Sequence, residues 1–342
     1  MGLDLKPILS PLQIKFNYLI NKTVAIDAFN AIYQFLATIR GPTGELLANS
    51  KGEVTSHLSG LFYRNINLIS YNIRPIYVFD GKSSYLKLNE IERREEIKKN
   101  ATQKYEQALS EGRMDEAKKY SQATSVLTEK MIEEAKLLLS YLGIPIVQAP
   151  SEGEATAAYL TNIGLAYTSA SQDYDSILFG TKKLIRNLTI SGKRKIPNRN
   201  VYVDIPLEMF YIEDILSNVK LSREQLVDVG ILIGTDFNPG GIPRIGPKKA
   251  LKLIQQYSRL EHIDIDHVRD LISEIPYKEI REIFLYPEKP SITEIRFNDV
   301  DYDKIIHFLC QQKDFSHERI NSALQKVIKK DVDQIKSLDN WL

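Results

Sequence analysis

Seven carboxylates in this 342-residue chain stand where a charge could do chemistry: Asp27, Asp80, Glu152, Glu154, Asp173, Asp175 and Asp236. Asp27 follows Thr23-Val24-Ala25-Ile26, and Asp80 follows Pro75-Ile76-Tyr77-Val78-Phe79. Ile144 to Val147 leads into Pro150-Ser151-Glu152, and Ala166 to Ser171 leads into Asp173. Gathered on one edge, such acids would raise one another's pKa values and destabilise the fold unless cations neutralise them. An all-oxygen donor set selects hard divalent ions, Mg²⁺ or Mn²⁺, over zinc. The five histidines (57, 262, 267, 307, 317) show no ligand spacing, and a single cysteine, Cys310, excludes a cysteine-rich zinc site and an internal disulfide framework. Taken singly, some of the acids have simpler uses. Ser151-x-x-Glu154 has the form of a capping box, Asp173 and Asp175 suit a turn, and Asp236 suits an Asx-turn. Asp27 and Asp80 resist that explanation, because a charge directly after an apolar strand is expensively placed.

The elements that must position these acids read as α/β. Short runs apolar on both faces alternate with helical patterns, which predicts a central, mostly parallel sheet flanked by crossover helices. Ligands in such sheets lie beyond the carboxyl ends of the strands, where the acids are. Residues 82–135 differ: long charged helical stretches, broken near Ser110-Glu111-Gly112, predict an insertion standing off the core. Ten Lys/Arg between Lys82 and Lys119 face eight acids, so a solvated helical surface is the plain reading of their charge. Lys87 and Arg94, seven apart, would share one helical face.

Thr181 to Asn200 carries Lys182, Lys183, Arg186, Lys193, Arg194, Lys195 and Arg199 without an acid, and Ser191-Gly192 suggests a basic hairpin or loop. A helix opening with a Ser222/Gln225 capping box should run to Ile233, and a Gly/Pro-dense turn, Asn238 to Pro247, should lead into a second helix over Lys248–Gln256. Phe237 to Leu260 holds Arg244, Lys248, Lys249, Lys252 and Arg259 with no acid, an arrangement suited to a phosphate.

Composition sets the outer limits. Forty-three per cent hydrophobic and 26 per cent charged residues are globular values, and Lys+Arg 45 against Asp+Glu 44 leaves a net charge of +1. That excludes a uniformly basic coat but not segregated patches. No apolar run approaches the ~20 residues of a membrane span, no signal peptide is visible, and Lys6 stands where a myristoylation start wants Ser or Thr. The expectation is a soluble intracellular protein without a membrane partner.

Several segments together resemble the flap endonuclease family of the structure-specific 5′ nuclease superfamily, in its archaeal form. They are Val24-Ala-Ile-Asp-Ala28 with Ile32-Tyr-Gln-Phe35, Tyr77-Val-Phe-Asp-Gly-Lys82, and Ala149-Pro-Ser-Glu-Gly-Glu154-Ala. Gln172-Asp-Tyr-Asp175 and Gly234-Thr-Asp236, followed by Ile245-Gly-Pro-Lys-Lys-Ala250, complete the set. The match spans nearly the whole chain in the family's order. It implies a PIN-like 5′ nuclease fold with a helical arch and a helix-two-turn-helix element.

The implied organisation is an N-terminal nuclease region over 1–100 with the arch at 82–135, and an internal region over 120–260 holding the helix-two-turn-helix at 222–257. A C-terminal part at 261–330 and a sliding-clamp-binding tail at 331–342 follow. The implied activity is two-metal hydrolysis of a phosphodiester at the junction of a 5′ flap, leaving 5′-phosphate and 3′-hydroxyl, with 5′–3′ exonuclease activity on nicks and gaps.

The resemblance assigns Asp27, Asp80, Glu152 and Glu154 mainly to one Mg²⁺, and Asp173, Asp175 and Asp236 mainly to the other, with Mn²⁺ able to substitute. Lys87 and Arg94 match the catalytic basic pair at the base of the arch. Tyr33 matches the residue that stacks on a base near the scissile phosphate, and Arg40 and Arg64 match basic residues near the active site. Gly241, Gly246, Lys248 and Lys249 belong to the turn that grips duplex phosphates and can hold K⁺; Arg244 stands there in place of the family's glycine. Ile335, Leu338, Trp341 and Leu342 keep the spacing of a clamp-binding motif, with Ile in the glutamine slot and Leu in place of the last aromatic. The implied partners are branched DNA and a PCNA-type sliding clamp, met by a monomer in the cytoplasm, or in the nucleus of a eukaryote. A small-ester phosphohydrolase would want Asp-x-Asp where Ala28 and Phe29 follow Asp27, and a non-catalytic DNA scaffold would not need seven acids.

Overall fold

The computed structural model describes residues 3–189, 192–195 and 202–327. The first three strands are β1 (Leu12–Ile14), β2 (Thr23–Asp27) and β3 (Arg74–Phe79); β4 (Ile146–Gln148), β5 (Thr168–Ala170) and β6 (Lys183–Arg186) follow. A short pair, β7 (Gly192–Lys195) and β8 (Tyr202–Ile205), precedes β9 (Leu207–Tyr211). The seven-stranded sheet has the order β1-β9-β6-β5-β2-β3-β4. Its centre is parallel, β2 pairing with β3 and β5, β3 with β4 and β5 with β6, while β9 runs antiparallel to both β6 and β1. This is the mostly parallel α/β sheet that the apolar runs predict.

Period-two alternation in β2 and β3 explains why these runs are apolar throughout. Val24, Ile26, Tyr77 and Phe79 enter one core, while Ala25, Ile76 and Val78 enter a second on the other face. The first core is covered by α1 (Ala28–Thr38) and α2 (Ser56–Ser70), which supply Ile32, Phe35, Leu58 and Phe62.

The chain then leaves the sheet. A helix of 23 residues, α3 (Leu88–Ser110), turns at Gly112 into α4 (Met114–Ser121), and the two pack on each other. At 1.5 Å per residue α3 is about 34 Å long, and its large apolar residues Leu88, Ile91 and Ile97 are exposed. Helix α5 (Glu129–Tyr141) returns to the core against α2.

Helices α6 (Gly153–Asn162) and α7 (Asp175–Leu178) follow β4 and β5. After α8 (Ile212–Val219) comes a helix pair, α9 (Arg223–Ile233) and α10 (Pro247–Tyr257). The Ser222/Gln225 capping box is formed in both directions, and Pro247 occupies the first helical position. In the intervening turn a Cβ at Gly234 would lie 2.5 Å from the Gly241 nitrogen, so this backbone crossing requires glycine. Helices α11 (Asp266–Ser273) and α12 (Tyr277–Leu285) complete that half, and Phe284 packs on Phe179 and Phe237. The segment after α12 lies along the β4 side, where Ile292, Ile295 and Phe297 cover the second core. Helix α13 (Tyr302–Ile306) and a helical stretch over 317–327 close the first core through Ile305, Ile320 and Leu324.

Two local expectations change. The basic run expected as one hairpin or loop divides, because Leu184 and Ile185 are apolar enough to make β6 an interior strand, leaving only Gly192–Lys195 for the hairpin. Ser151 and Glu154 form no capping box: Glu152 is the N-cap of α6 and makes no side-chain cap. Among the described residues no helix is long and apolar enough to cross a membrane.

Candidate active site

The ends of the parallel strands carry the acids to one edge. Asp27 closes β2 and caps α1, its Oδ1 accepting from Asn30 N at 3.0 Å. Asp80 follows β3, and its Oδ1 accepts from Gly153 N at 2.7 Å. A Cβ on residue 153 would stand 2.5 Å from that oxygen, so glycine between Glu152 and Glu154 lets the start of α6 approach Asp80. Glu154 Oε1 accepts from the Ser176 hydroxyl at 3.0 Å. Asp173 lies in the loop after β5 and Asp175 opens α7, while Asp236 lies in the turn after α9. That turn is held by Asn238, whose Oδ1 accepts from Thr235 N and Oγ1; Asp236 makes no such Asx-turn bond and faces the cluster.

Electrostatics show that these groups share one field. Burial and the Asp80 charge push Asp27 well above the usual carboxylate range. Burial and Glu152 push Asp80 up to about 6. Burial raises Glu154 with Asp175 and Asp27 adding to it, and raises Asp175 with Asp236 and Asp173 adding to it. Asp173 is raised by burial and by Asp236. Asp175 Oδ1 is buried without a hydrogen-bond partner. A buried carboxylate oxygen with no donor, amid mutually repelling carboxylates, is the environment that a hard dication relieves.

The donor set therefore fits divalent metal. As the side chains lie, no three His, Cys, Asp or Glu groups among the described residues converge closely enough to hold an ion, so the fit rests on the chemistry and electrostatics of the donor set. Two cations of the chain instead draw on the rim of the cluster. Lys87 Nζ pairs with Glu152 and stands 3.6 Å from Asp236 Oδ2, and Arg94 donates to Asp236 Oδ1 at 2.8 Å. Burial alone would depress the Lys87 ammonium, but Glu152 and Asp236 outweigh it and hold its pKa above the usual lysine value. Both cations come from the arch, Lys87 at the N-cap of α3 and Arg94 two turns on.

Tyr33, on α1, is 38% exposed, and Lys98 of α3 stands 5.0 Å from its ring centroid. Arg40 donates to the Leu36 and Gly44 carbonyls and to the Ser125 hydroxyl, so here it pins the connection between α1 and the arch. Arg64 is half-buried on α2, and burial lowers its pKa. In the α9–α10 turn Gly241 has φ +53°, and Arg244, with φ +64°, adopts the left-handed conformation that favours glycine. Gly246 caps α10, and Lys248 and Lys249 are exposed in its first turn, which has no acid. Ile335, Leu338, Trp341 and Leu342 lie outside the described residues.

Two residues escaped the sequence reading. Asn30 donates to Asp173 Oδ2 at 3.0 Å and accepts from Gln172 N, so it ties the end of β2 to the end of β5. Glu90 binds Arg93 and Arg94. Its i,i+3 and i,i+4 spacing to those arginines was a visible signal, but it merged with the other charges of the arch.

Comparisons with known proteins identify the family. The XPG N-terminal domain model matches residues 1–101, and the XPG I-region model matches residues 143–236. Flap endonuclease 1 of Nitrosopumilus maritimus is 52% identical over 341 residues, covering 100% of both chains. The structure of flap endonuclease-1 from Methanococcus jannaschii superposes with a TM-score of 0.75 at 35% identity, over 97% of this chain and 100% of that one. The catalytic core of Rad2 in complex with DNA substrate superposes with a TM-score of 0.69 at 25% identity, over 94% and 96%. With matches of that length running through both acid-bearing halves, the chain belongs to the flap endonuclease 1 family.

Proposed function

We infer that this protein is a structure-specific 5′ flap endonuclease of DNA replication and repair, a metal-dependent phosphodiester hydrolase acting on branched DNA. The observation that carries the chemistry is the unpartnered Asp175 oxygen inside a field of mutually repelling carboxylates, beneath an arch that supplies Lys87 and Arg94. Asp27, Asp80, Glu152 and Glu154 would hold mainly one Mg²⁺ and Asp173, Asp175 and Asp236 mainly a second, with Mn²⁺ as a substitute. When bound, such ions make a water nucleophilic at neutral pH and neutralise charge on the leaving oxygen.

The chain's own groups do the remainder. Water oxygen bonds to phosphorus, the bond to the 3′ oxygen breaks, and a proton goes to that oxygen. The products are a 5′-phosphate and a 3′-hydroxyl. Lys87 and Arg94 are fixed cations that meet the negative charge growing on the phosphoryl oxygens, and they exchange Glu152 and Asp236 for the phosphate as it arrives. Tyr33 offers a ring for a terminal base that has left its stack. Lys248 and Lys249, with the backbone from Gly241 to Gly246 and a K⁺ in that turn, hold duplex phosphates, and Arg40 and Arg64 hold strands nearer the site. Phosphate contacts carry no sequence information, so selection is by junction shape.

The protein works as a monomer in the cytoplasm of an archaeon, or the nucleus were the source eukaryotic. It is tethered to a PCNA-type clamp by Ile335, Leu338, Trp341 and Leu342. Cleavage of end-labelled double-flap, nicked, bubble and single-stranded substrates, with and without magnesium, tests the reading. Cutting at the flap junction with minor trimming of nicks is expected. A closed bubble cut as fast as an open flap would overturn the arch as a gate for free 5′ ends.

A further inference from the structure

The roles above leave Glu90 without a task. It lies in the first turn of α3, a helix whose other described acids are exposed, yet Glu90 itself is only 3% exposed. Its Oε1 accepts from Arg94 Nε at 2.6 Å and from Arg93 Nη2 at 2.7 Å, and its Oε2 accepts from Arg93 Nε at 2.6 Å. Arg94 turns its other end to the acids, with Nη2 on Asp236 Oδ1 at 2.8 Å. A guanidinium is planar with its donors in a fixed fork, so holding Nε sets where the terminal nitrogens point. One carboxylate between two neighbouring arginines also cancels part of their repulsion, which would otherwise drive both side chains apart into solvent.

We propose that Glu90 is a positioning residue for the cleavage reaction: through Nε it aims the Arg94 guanidinium so that its terminal nitrogens meet the scissile phosphate. This rests on the reading of Arg94 as a cation that contacts the reacting group. Glu90 touches neither the acid cluster nor the phosphate and acts through Arg94. Because it is an anion beside a DNA path, a purely electrostatic role predicts the opposite result, since its removal would strengthen DNA binding and leave chemistry alone or improve it.

The test uses the full-length protein, with Glu90→Ala, Glu90→Gln, Arg94→Ala and the double variant Glu90→Ala/Arg94→Ala. Single-turnover cleavage of a double-flap substrate is measured beside equilibrium binding of the same DNA and helix content by circular dichroism. Removing an outer group that orients a functional one costs about tenfold in rate. Glu90→Ala is therefore expected to cleave about tenfold more slowly while binding the flap no more weakly. Glu90→Gln, which keeps an acceptor and the shape, should fall between it and the parent. The double variant should cleave no more slowly than Arg94→Ala.

Parental rates in Glu90→Ala and Glu90→Gln alongside a slow Arg94→Ala would overturn the assignment to Glu90. A double variant slower than Arg94→Ala by the whole Glu90→Ala factor would show that Glu90 does not act through Arg94. Weakened binding with lost helix content in both Glu90 variants would make the residue a support of the arch only. A parental rate in Arg94→Ala would end the reading of Arg94 itself, whatever Glu90 does.

Discussion

Two regions of this molecule bury several ionisable groups together, and they settle their charge in opposite ways. Behind the sheet, His57 of α2 is fully buried with Nε2 3.3 Å from Glu134 of α5. Lys313 reaches Glu134 at 2.6 Å and Glu53 at 2.9 Å, and Lys130 pairs with Glu53. Hydrogen bonds from Lys130 and Lys313 bring Glu53 down to about 2. Burial would raise Glu134, but His57 and Lys313 outweigh it and hold it below the ordinary value. At the strand ends burial is joined by like charge, and Asp27, Asp80, Glu154, Asp173 and Asp175 all move up. A cluster that supplies its own cation is a fastening. A cluster whose own cations, Lys87 and Arg94, pair at its rim with Glu152 and Asp236 while five other carboxyls stay raised is built for a cation from outside, and the folded chain is less stable until that cation arrives.

The sharpest way to break this contrast is Asp175→Asn. Cleavage should fall on the order of 10³-fold, as when a preorganised group is removed from a charge-stabilising site. The same substitution should raise the melting temperature of the metal-free protein, because it deletes one of several buried, repelling charges. A variant both inactive and less stable would make Asp175 a structural acid. Lys313→Met should do the reverse: about 3 kcal/mol of stability lost in urea unfolding, since two acids lose their shared cation, with cleavage per folded molecule unchanged. A stable but inactive Lys313→Met would place the rear cluster in the catalytic machinery.

Acidity gives the next effect. Burial and Glu152 push Asp80 up to about 6, above its ordinary 3.8, so between those values the folded state binds more protons than the unfolded one. Unfolding free energy then falls as pH rises through that window. Metal-free protein should therefore gain stability on acidification from pH 7 toward 5, whereas carboxylates with lowered pKa, such as Glu134, pull the other way only as pH falls further. Millimolar Mg²⁺ should flatten the trend. A metal-free melting temperature that falls steadily from pH 7 to 5 would contradict the under-compensated cluster.

How much of this was legible before any coordinates depended on the range of each signal. Short runs apolar on both faces made β2 and β3 readable, and Asp27 and Asp80 stood out because nothing local explains an acid there. The capping box at Ser222 and the start of α10 were equally local. The rear cluster was not legible, since Glu53, Glu134 and Lys313 are far apart in sequence and each resembles a surface charge until the fold joins them. Glu90 was hidden for a different reason: its neighbours Glu92, Glu95 and Glu96 are exposed, and composition cannot tell which acid in a charged helix turns inward. Asn30 was invisible because its work on Asp173 follows from the pairing of β2 with β5.

The smallest expected effect extends the contrast to cations. Arg281 is settled internally, with Nη2 at 2.8 Å from both the fully buried Asp228 and Glu261. Arg244, with Lys248 and Lys249 close behind, is exposed, and the first turn of α10 offers no acid. Arg244 also keeps φ at +64°, where a side chain costs about 1 kcal/mol relative to glycine. Arg244→Gly relieves that strain but gains a similar amount of freedom in the unfolded chain, so stability should shift by less than about 1 kcal/mol. Its effect should appear in DNA binding instead. A cation unpaired within the protein and held against a duplex phosphate releases about one counterion, so the slope of log affinity against log salt should become shallower by about one. Arg281→Ala, which breaks an internal pair, should leave that slope alone and lower stability. An unchanged slope in Arg244→Gly would mean that this arginine, although uncompensated, meets no phosphate, and that exposure without an internal partner does not by itself mark the cations that face DNA.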